Sequence, residues 1–153
     1  KNNTKINYQS MDLLKELNPD IVGNINKIPL ADNSVDLVVA FEVLEHLPFE
    51  DLAKSLEEIR RVTRKNAIIS LPHFGPAIKL SFKLPFLKEI KLACKFFFPL
   101  KHKFNGEHYW EIGKFNFGVF KIRRMLKNFF EIKNEFIPFE NQYHHFFVLE
   151  KKI

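Results

Sequence analysis

Polar side chains stand directly after four predicted strands, at the points where a parallel sheet would bring them together. They are Asp12, Asn24, Glu42 and His73. In open α/β sheets, ligands bind in the crevice outside the carboxyl ends of the strands. Carboxylate, amide and imidazole groups placed there could accept hydrogen bonds from a ligand or move a proton. The spacing of these residues therefore predicts a ligand site at one edge of a sheet.

The elements that would position these side chains follow an α/β order. The apolar runs 35–41 and 67–71 predict strands that are buried on both faces, as in a parallel sheet covered by helices. Residues 49–63 repeat apolar side chains on one side and predict a helix between these strands. Residues 120–128 predict a second helix. Two closing strands are predicted after it at 129–139 and 143–150, and the turn residues between them predict an antiparallel pair.

Length and composition favour one domain without cross-links. A chain of 153 residues can bury a sizeable core, and its single cysteine, Cys94, excludes an internal disulfide and a multi-cysteine zinc site. No apolar stretch reaches the ~20 residues that a membrane-spanning helix needs. His144 and His145 alternate within a predicted strand and face opposite ways, and no other spacing of His, Asp and Glu suggests a metal. We therefore expect a cytoplasmic protein without a metal site.

The positive charge is concentrated in the segment 77–104. This segment contains seven lysines and one acidic residue, whereas the rest of the chain balances at 17 basic and 17 acidic residues. Phenylalanine and leucine alternate with the lysines. The segment could therefore contact the anionic inner surface of a membrane, or it could admit a lipid-linked or phosphorylated ligand. The alternative is a helical lid with its lysines in water. No recognised motif supports nucleic-acid binding.

Several phrases of the sequence occur in an order that is typical of one family. Residues 28–38 read Ile-Pro-Leu-x-Asp-Asn-Ser-Val-Asp-Leu-Val, and residues 43–47 read Val-Leu-Glu-His-Leu. A helix ending in Arg-Arg-Val at 60–62 and a strand leading to Leu-Pro at 71–72 follow. Together they resemble the class I S-adenosylmethionine-dependent methyltransferases. The resemblance implies a Rossmann-like, mainly parallel sheet with helices on both faces and a C-terminal antiparallel hairpin.

The resemblance also implies S-adenosylmethionine as the methyl donor and assigns residues to it. Asp12 would accept hydrogen bonds from both ribose hydroxyls, a role that suits a carboxylate. The alternative for Asp12 is a loop or helix-cap aspartate. Asn24 stands where many members have an aspartate that accepts from the adenine amino group, and Ile25 would offer its backbone amide to the adenine ring. For Asn24 and Ile25, a plain turn is the alternative.

The resemblance also assigns Phe41, the last residue of the predicted strand 35–41, and His46, which follows that strand. Phe41 would lie near the methionine or adenosine part of the cofactor, with ordinary core packing as the alternative. His46 belongs to the family phrase at 43–47, where it would shape the cofactor loop rather than act as a base.

The methyl acceptor would be a small or lipid-like molecule that lies next to the cofactor. His73 could serve as the general base for it, and the alternative is a structural histidine in a rigid loop. The stretch 106–111 holds His108, Tyr109 and Trp110, which could line an acceptor pocket. The alternative for these three residues is a strand edge with amphipathic side chains.

One departure from the family concerns the glycine-rich loop that follows its first strand. Only eleven residues precede Asp12 here, and none is glycine. We therefore expect a single truncated domain, 1–153, that lacks the first strand and helix, carries a basic aromatic insertion at 77–104 and binds the cofactor weakly alone. The alternative function is a catalytically inactive methyltransferase-like module for binding or membrane association. The oligomeric state stays open.

Overall fold

The computed structural model describes residues 6–86, 88–98, 100–104 and 106–152. Its strands and α-helices, in chain order, are β1 (Met11–Asp12), β2 (Ile21–Val22), β3 (Val35–Phe41), α1 (Leu52–Val62), β4 (Thr63–Pro72), β5 (Ala77–Phe82), β6 (Ile90–Lys95), α2 (Val119–Phe129), β7 (Phe130–Phe136) and β8 (His144–Lys151). Three short 3-10 helices cover Lys15–Leu17, Leu44–His46 and Phe49–Asp51. Within the described ranges, no helix is both long and apolar enough to cross a membrane.

The central sheet has four strands in the order β3-β4-β8-β7. Strand β3 pairs parallel with β4, whereas β8 pairs antiparallel with both β4 and β7. Strands β1 and β2 form a separate parallel pair. The valine-rich and isoleucine-rich runs become the strands that the sequence predicts, and the closing pair is the predicted antiparallel hairpin. The α/β fold class is thereby confirmed.

Both α-helices cover the same face of this sheet. Leu56 and Ile59 of α1 and Ile122 of α2 are fully buried in one apolar cluster. The cluster includes Ile69 of β4 and Phe147 of β8, which are direct cross-strand partners and therefore share a face. Because apolar residues recur every three or four positions in each helix, one stripe of each enters the core and the rest stays in water.

The opposite face of the sheet is open to solvent at β3. Leu37, Val39 and Phe41 alternate along this strand, and each side chain is about half exposed. Since successive residues of a strand point to opposite faces, these three share the face that α1 and α2 do not cover. Strand β3 is also the edge of the four-stranded sheet, so its outer backbone groups have no partner strand within the described residues.

The family phrase at 28–38 is held in place by two arginines, Arg61 near the end of α1 and Arg64 near the start of β4. The guanidinium of Arg61 donates to the carbonyl oxygens of Ile28 and Leu30 at 2.8 Å each and to Asp32 at 2.7 Å. Arg64 donates to the carboxylate of Asp36 at 2.7 Å. A planar guanidinium can bind several oxygen atoms at once, so these contacts fix the loop that enters β3.

The basic segment forms an antiparallel hairpin of β5 and β6, so the alternative of a lid helix is wrong. Cross-strand partners such as Leu80 and Leu92 place the apolar side chains on one face, and that face is exposed. The lysines on the other face contact the loop between β7 and β8. Lys91 Nζ lies 2.6 Å from Glu140 Oε1, and Lys95 Nζ donates to the carbonyl oxygen of Gln142 at 2.5 Å. The hairpin therefore presents its apolar face to water, although Lys79 and Lys91 on the other face are exposed as well.

A network of side chains ties the end of β4 to β7, β8 and α2. The ring of His73 stacks on that of His145, with 2.9 Å between their Nδ1 atoms. His145 Nε2 lies 2.7 Å from Glu135 Oε1, and Arg123 donates to the other oxygen of Glu135 at 2.7 Å. Burial, with smaller contributions from His145, Lys95 and Arg123, lowers the pKa of His73 to about 3. Burial also lowers the pKa of His145, although Glu135 opposes that shift.

The lowered pKa of His73 predicts a loss of stability in acid. Between the ordinary histidine pKa of about 6.5 and the folded value, the unfolded chain binds more protons, so stability falls as the pH falls. From pH 7 to pH 5, we expect His73 to contribute a loss of about 1–2 kcal/mol. Urea unfolding at both pH values gives the loss of stability in the wild type and in His73→Phe. The difference between the two losses is the contribution of His73, because all other titrating groups are common to both proteins. Equal losses in the two proteins would contradict the assignment.

Candidate functional site

The turn after β3 begins the candidate site. Glu42 has a left-handed backbone, with a φ of 51°. Its amide N–H donates to the carbonyl oxygen of Ser70 at 3.3 Å and to Ser70 Oγ at 3.1 Å. The Ser70 hydroxyl in turn donates to Glu42 Oε1 at 2.7 Å. This exchange with the neighbouring strand directs the chain into the 3-10 helix Leu44–His46.

Glu45, in that 3-10 helix, is a fully buried carboxylate. Neither of its carboxylate oxygens has a hydrogen-bond partner within the described residues. Burial raises the pKa of Glu45 to about 8, and the nearby carboxylates of Glu42 and Glu111 act in the same direction. A side chain in this state either holds a proton or requires a positive charge beside it.

Two histidines lie next to Glu45. His46 Nε2 is 4.0 Å from Glu45 Oε1, and the Nδ1 atom of the same ring is 3.0 Å from the carbonyl oxygen of Glu107. The rings of His46 and His108 meet edge to face, with 5.0 Å between their centroids. One ligand atom each from Glu45, His46 and His108 lies within 4.8 Å of the others. The fold thus gathers two imidazoles and a carboxylate that the sequence analysis did not connect.

Glu111 and Tyr143 complete this cluster on the side of β8. His108 Nδ1 lies 3.2 Å from Glu111 Oε1, and the hydroxyl of Tyr143 donates to the same oxygen at 3.1 Å. Burial raises the pKa of Tyr143, and the adjacent Glu111 raises it further. Tyr143 therefore acts as a hydrogen-bond donor at neutral pH.

The three residues predicted to line an acceptor pocket have different positions. His108 is in the cluster just described, and Tyr109 is partly exposed, with its amide N–H donating to the carbonyl oxygen of Glu45 at 2.8 Å. Trp110 is fully buried, and its indole N–H donates to the carbonyl oxygen of Leu47 at 3.1 Å. The structure thus corrects the prediction for Trp110: it supports the wall of the site from the core and has no surface to offer a ligand.

The residues assigned to the cofactor lie at the carboxyl ends of β1, β2 and β3. Asp12 is half-buried, and its Oδ1 accepts from the amide of Leu14 at 2.8 Å. Asn24 Oδ1 accepts from the amide of Asn26 at 2.8 Å, so this side chain closes a turn. Ile25 packs partly buried against the core. Phe41 is half exposed and meets Phe146 edge to face, at 5.5 Å between centroids.

The side chain of His73 contacts a different set of residues from the cluster around Glu45. Its ring is held by His145, and its pKa is lowered by burial and then by the charges of His145, Lys95 and Arg123. The amide N–H of His73 donates to the carbonyl oxygen of Tyr143 at 2.6 Å. The residue therefore links β4 to β8, and its low pKa makes it a weak proton acceptor.

Comparisons with known proteins show a family match over part of the chain and a similar fold over most of it. Residues 3–71 match the methyltransferase domain family. No curated protein sequence matches the chain. Among solved structures, the 1,6-didemethyltoxoflavin-N1-methyltransferase of Burkholderia thailandensis is similar with a TM-score of 0.58 at 11% identity, over 94% of this chain and 60% of that one.

Two further solved structures show the same similarity. An S-adenosylmethionine-dependent methyltransferase from Mesorhizobium loti has a TM-score of 0.55 at 14% identity, over 92% of this chain and 78% of that one. A protein from Pyrococcus horikoshii OT3 has a TM-score of 0.54 at 15% identity, over 90% of this chain and 63% of its own. The chain thus spans 60–63% of the length of two of these proteins. It resembles the class I S-adenosylmethionine-dependent methyltransferases in sequence over residues 3–71 and in fold over most of its length.

Proposed function

We propose that the protein transfers a methyl group from S-adenosylmethionine to a small-molecule or lipid-like acceptor. The observation that carries the proposal is the family match over residues 3–71, which includes a half-buried carboxylate, Asp12, at the end of a parallel strand. Two neighbours support a small-molecule or peptide-derived acceptor by analogy. One is the Burkholderia thailandensis enzyme, seen with 1,6-didemethyltoxoflavin and S-adenosylhomocysteine, and the other is a glycopeptide N-methyltransferase seen with S-adenosylhomocysteine.

The cofactor would bind along the ends of β1, β2 and β3. Asp12 could bind the ribose hydroxyls. Its Oδ1 accepts from the amide of Leu14, and the carboxylate can still accept further hydrogen bonds. Asn24 fits less well, since its side-chain oxygen already closes a turn to Asn26. Phe41 offers a half-exposed aromatic ring to the adenosine or methionine part. When bound, S-adenosylmethionine supplies an electrophilic methyl group, and these residues bind and orient it.

The acceptor would lie next to the cluster around Glu45. His108 and Tyr109 stay in the proposed acceptor wall, Tyr143 joins them as a hydrogen-bond donor, and Trp110 supports them from the core. The proposal assigns no proton transfer to His73, because an imidazole with a pKa of about 3 accepts protons poorly near neutral pH.

Substitution of Asp12 tests the cofactor assignment. Asp12→Asn keeps the Oδ1 acceptor for the amide of Leu14 but removes the negative charge that would bind the ribose. We expect S-adenosylhomocysteine to bind the full-length variant at least ~10-fold more weakly, as loss of charge-assisted hydrogen bonds predicts. Isothermal titration calorimetry measures the difference.

The matched control is Glu16→Gln, which removes the same charge from an exposed position in the adjacent 3-10 helix. Its affinity should equal that of the wild type. Wild-type affinity in Asp12→Asn would remove the role of Asp12, whereas the absence of saturable binding in the full-length wild type would favour the inactive methyltransferase-like module.

A membrane-associated role is the second candidate, and the β5–β6 hairpin favours it. At its tip, Phe86 is completely exposed with a left-handed backbone, and Leu84 beside it is also exposed. Lys83 and Lys88 flank these residues and are exposed too. An exposed apolar tip with adjacent cations suits an anionic membrane surface. We propose that the protein is cytoplasmic. We propose also that this hairpin, which belongs to an insertion at 77–104, contacts the inner membrane surface.

Charge reversal at the hairpin tip tests this contact. Each lysine near an anionic surface strengthens binding severalfold, so Lys83→Glu with Lys88→Glu should reduce binding to phosphatidylcholine–phosphatidylglycerol vesicles at least ~10-fold. Vesicle co-sedimentation measures the bound fraction. The control pair, Lys54→Glu with Lys65→Glu, makes the same charge change at exposed positions on α1 and β4 and should bind more strongly than the tip variant. Equal losses in both pairs, or no sedimentation of the wild type, would exclude a specific contact.

A further inference from the structure

We propose that Glu45, His46 and His108 bind a first-row divalent metal ion of the Zn²⁺ or Mn²⁺ type. The proposal does not depend on methyl transfer, because it rests only on the side chains that follow β3 and on those of the segment before α2. Their ligand atoms already lie within 4.8 Å of one another. A bound ion would lie about 2.0–2.2 Å from each of these atoms.

The state of Glu45 is the first argument for a cation. Its side chain is fully buried, both carboxylate oxygens lack hydrogen-bond partners within the described residues, and Oε1 faces His46 Nε2 at 4.0 Å. A buried carboxylate without hydrogen bonds is costly, and paired charges or metal coordination are the usual ways in which proteins offset that cost. A bound cation would supply the missing partner for both oxygens.

The contacts of the two histidines are the second argument. Metal-ligating histidines almost always engage their other ring nitrogen with a carbonyl or a carboxylate, which fixes the ring and raises its basicity. His46 Nδ1 lies 3.0 Å from the carbonyl oxygen of Glu107, so Nε2 is the nitrogen turned toward Glu45. His108 Nδ1 lies 3.2 Å from the carboxylate of Glu111. His46 therefore has the outer contact that is typical of a metal ligand, and one ring nitrogen of His108 contacts a carboxylate.

The donor set indicates the class of metal and the openness of the site. Two imidazoles and one carboxylate suit first-row transition metals, whereas Mg²⁺ and Ca²⁺ prefer oxygen ligands alone. Three protein ligands with further coordination positions open are typical of catalytic rather than structural sites. His46 is 45% exposed in its side chain and provides the side from which an ion would enter.

Calorimetric titration of the metal-free, full-length protein with ZnCl₂ and with MnCl₂ tests the site. We expect one ion per chain, with Zn²⁺ bound more tightly than Mn²⁺, as the general order of divalent affinities predicts. Glu45→Gln should weaken binding of both ions at least ~100-fold, because it replaces the charged ligand with a neutral amide of the same shape. His46→Gln removes a second ligand at a partly exposed position, so it keeps the proposal testable should Glu45→Gln fold poorly.

Glu57→Gln is the matched control, because it makes the same change at an exposed position of α1. It should bind both ions as the wild type does. The proposal is overturned if the wild type binds neither ion more tightly than millimolar, or if Glu45→Gln and His46→Gln keep wild-type affinity. Since the titrations contain no S-adenosylmethionine, their failure is independent of the cofactor titrations with Asp12→Asn.

Discussion

The candidate site depends on the hydrogen bonds between Glu42 and Ser70. Parallel pairing sets Phe41, the last residue of β3, opposite Ser70, so β3 ends beside Ser70 while β4 continues to Pro72. The left-handed residue Glu42 then turns the chain, and Ser70 receives its amide N–H while donating a hydroxyl to its carboxylate. Because this turn delivers the 3-10 helix Leu44–His46, a change at Ser70 would move Glu45 and His46 together.

This arrangement buries the carboxylate of Glu45, which is unfavourable for folding. Elsewhere, the protein pairs its partly buried carboxylates with cations: Glu58 with Arg61, and Glu135 with Arg123. Glu45 forms no ion pair with an arginine or a lysine within the described residues, and the nearby acids Glu42 and Glu111 raise its pKa further. Such a cost in folding free energy is characteristic of functional sites, where strained electrostatics are compensated by the rest of the fold. The apolar cluster under α1 and α2 supplies that compensation.

The sequence predicts the fold well where one physical signal dominates. Continuous apolar runs predict β3 and β4, and the apolar stripes predict α1 and α2, because burial decides these elements. The rule that ligands bind at the ends of strands also points to the region of Glu42. The group of Glu45, His46 and His108 escapes prediction because His108 is far from the adjacent residues Glu45 and His46 in the chain. Only the packing of residues 106–112 against the 3-10 helix joins them. Trp110 is predicted to line a pocket, but it is fully buried and its indole N–H donates to the carbonyl oxygen of Leu47.

The hairpin of β5 and β6 shows how register decides which face meets water. Lysine and apolar residues alternate there, so composition alone cannot say which set is exposed, and a shift by one residue would exchange the two faces. The contacts of Lys91 with Glu140 and of Lys95 with Gln142 hold the lysine face against the β7–β8 loop, and Lys79 and Lys91 also lie over the ring of Phe139. With that face fixed, Leu80 and Leu92 must point to solvent. Polar contacts on the opposite side thus keep the apolar face of the hairpin exposed. Binding to another surface, such as a membrane, explains this exposure better than incomplete packing does.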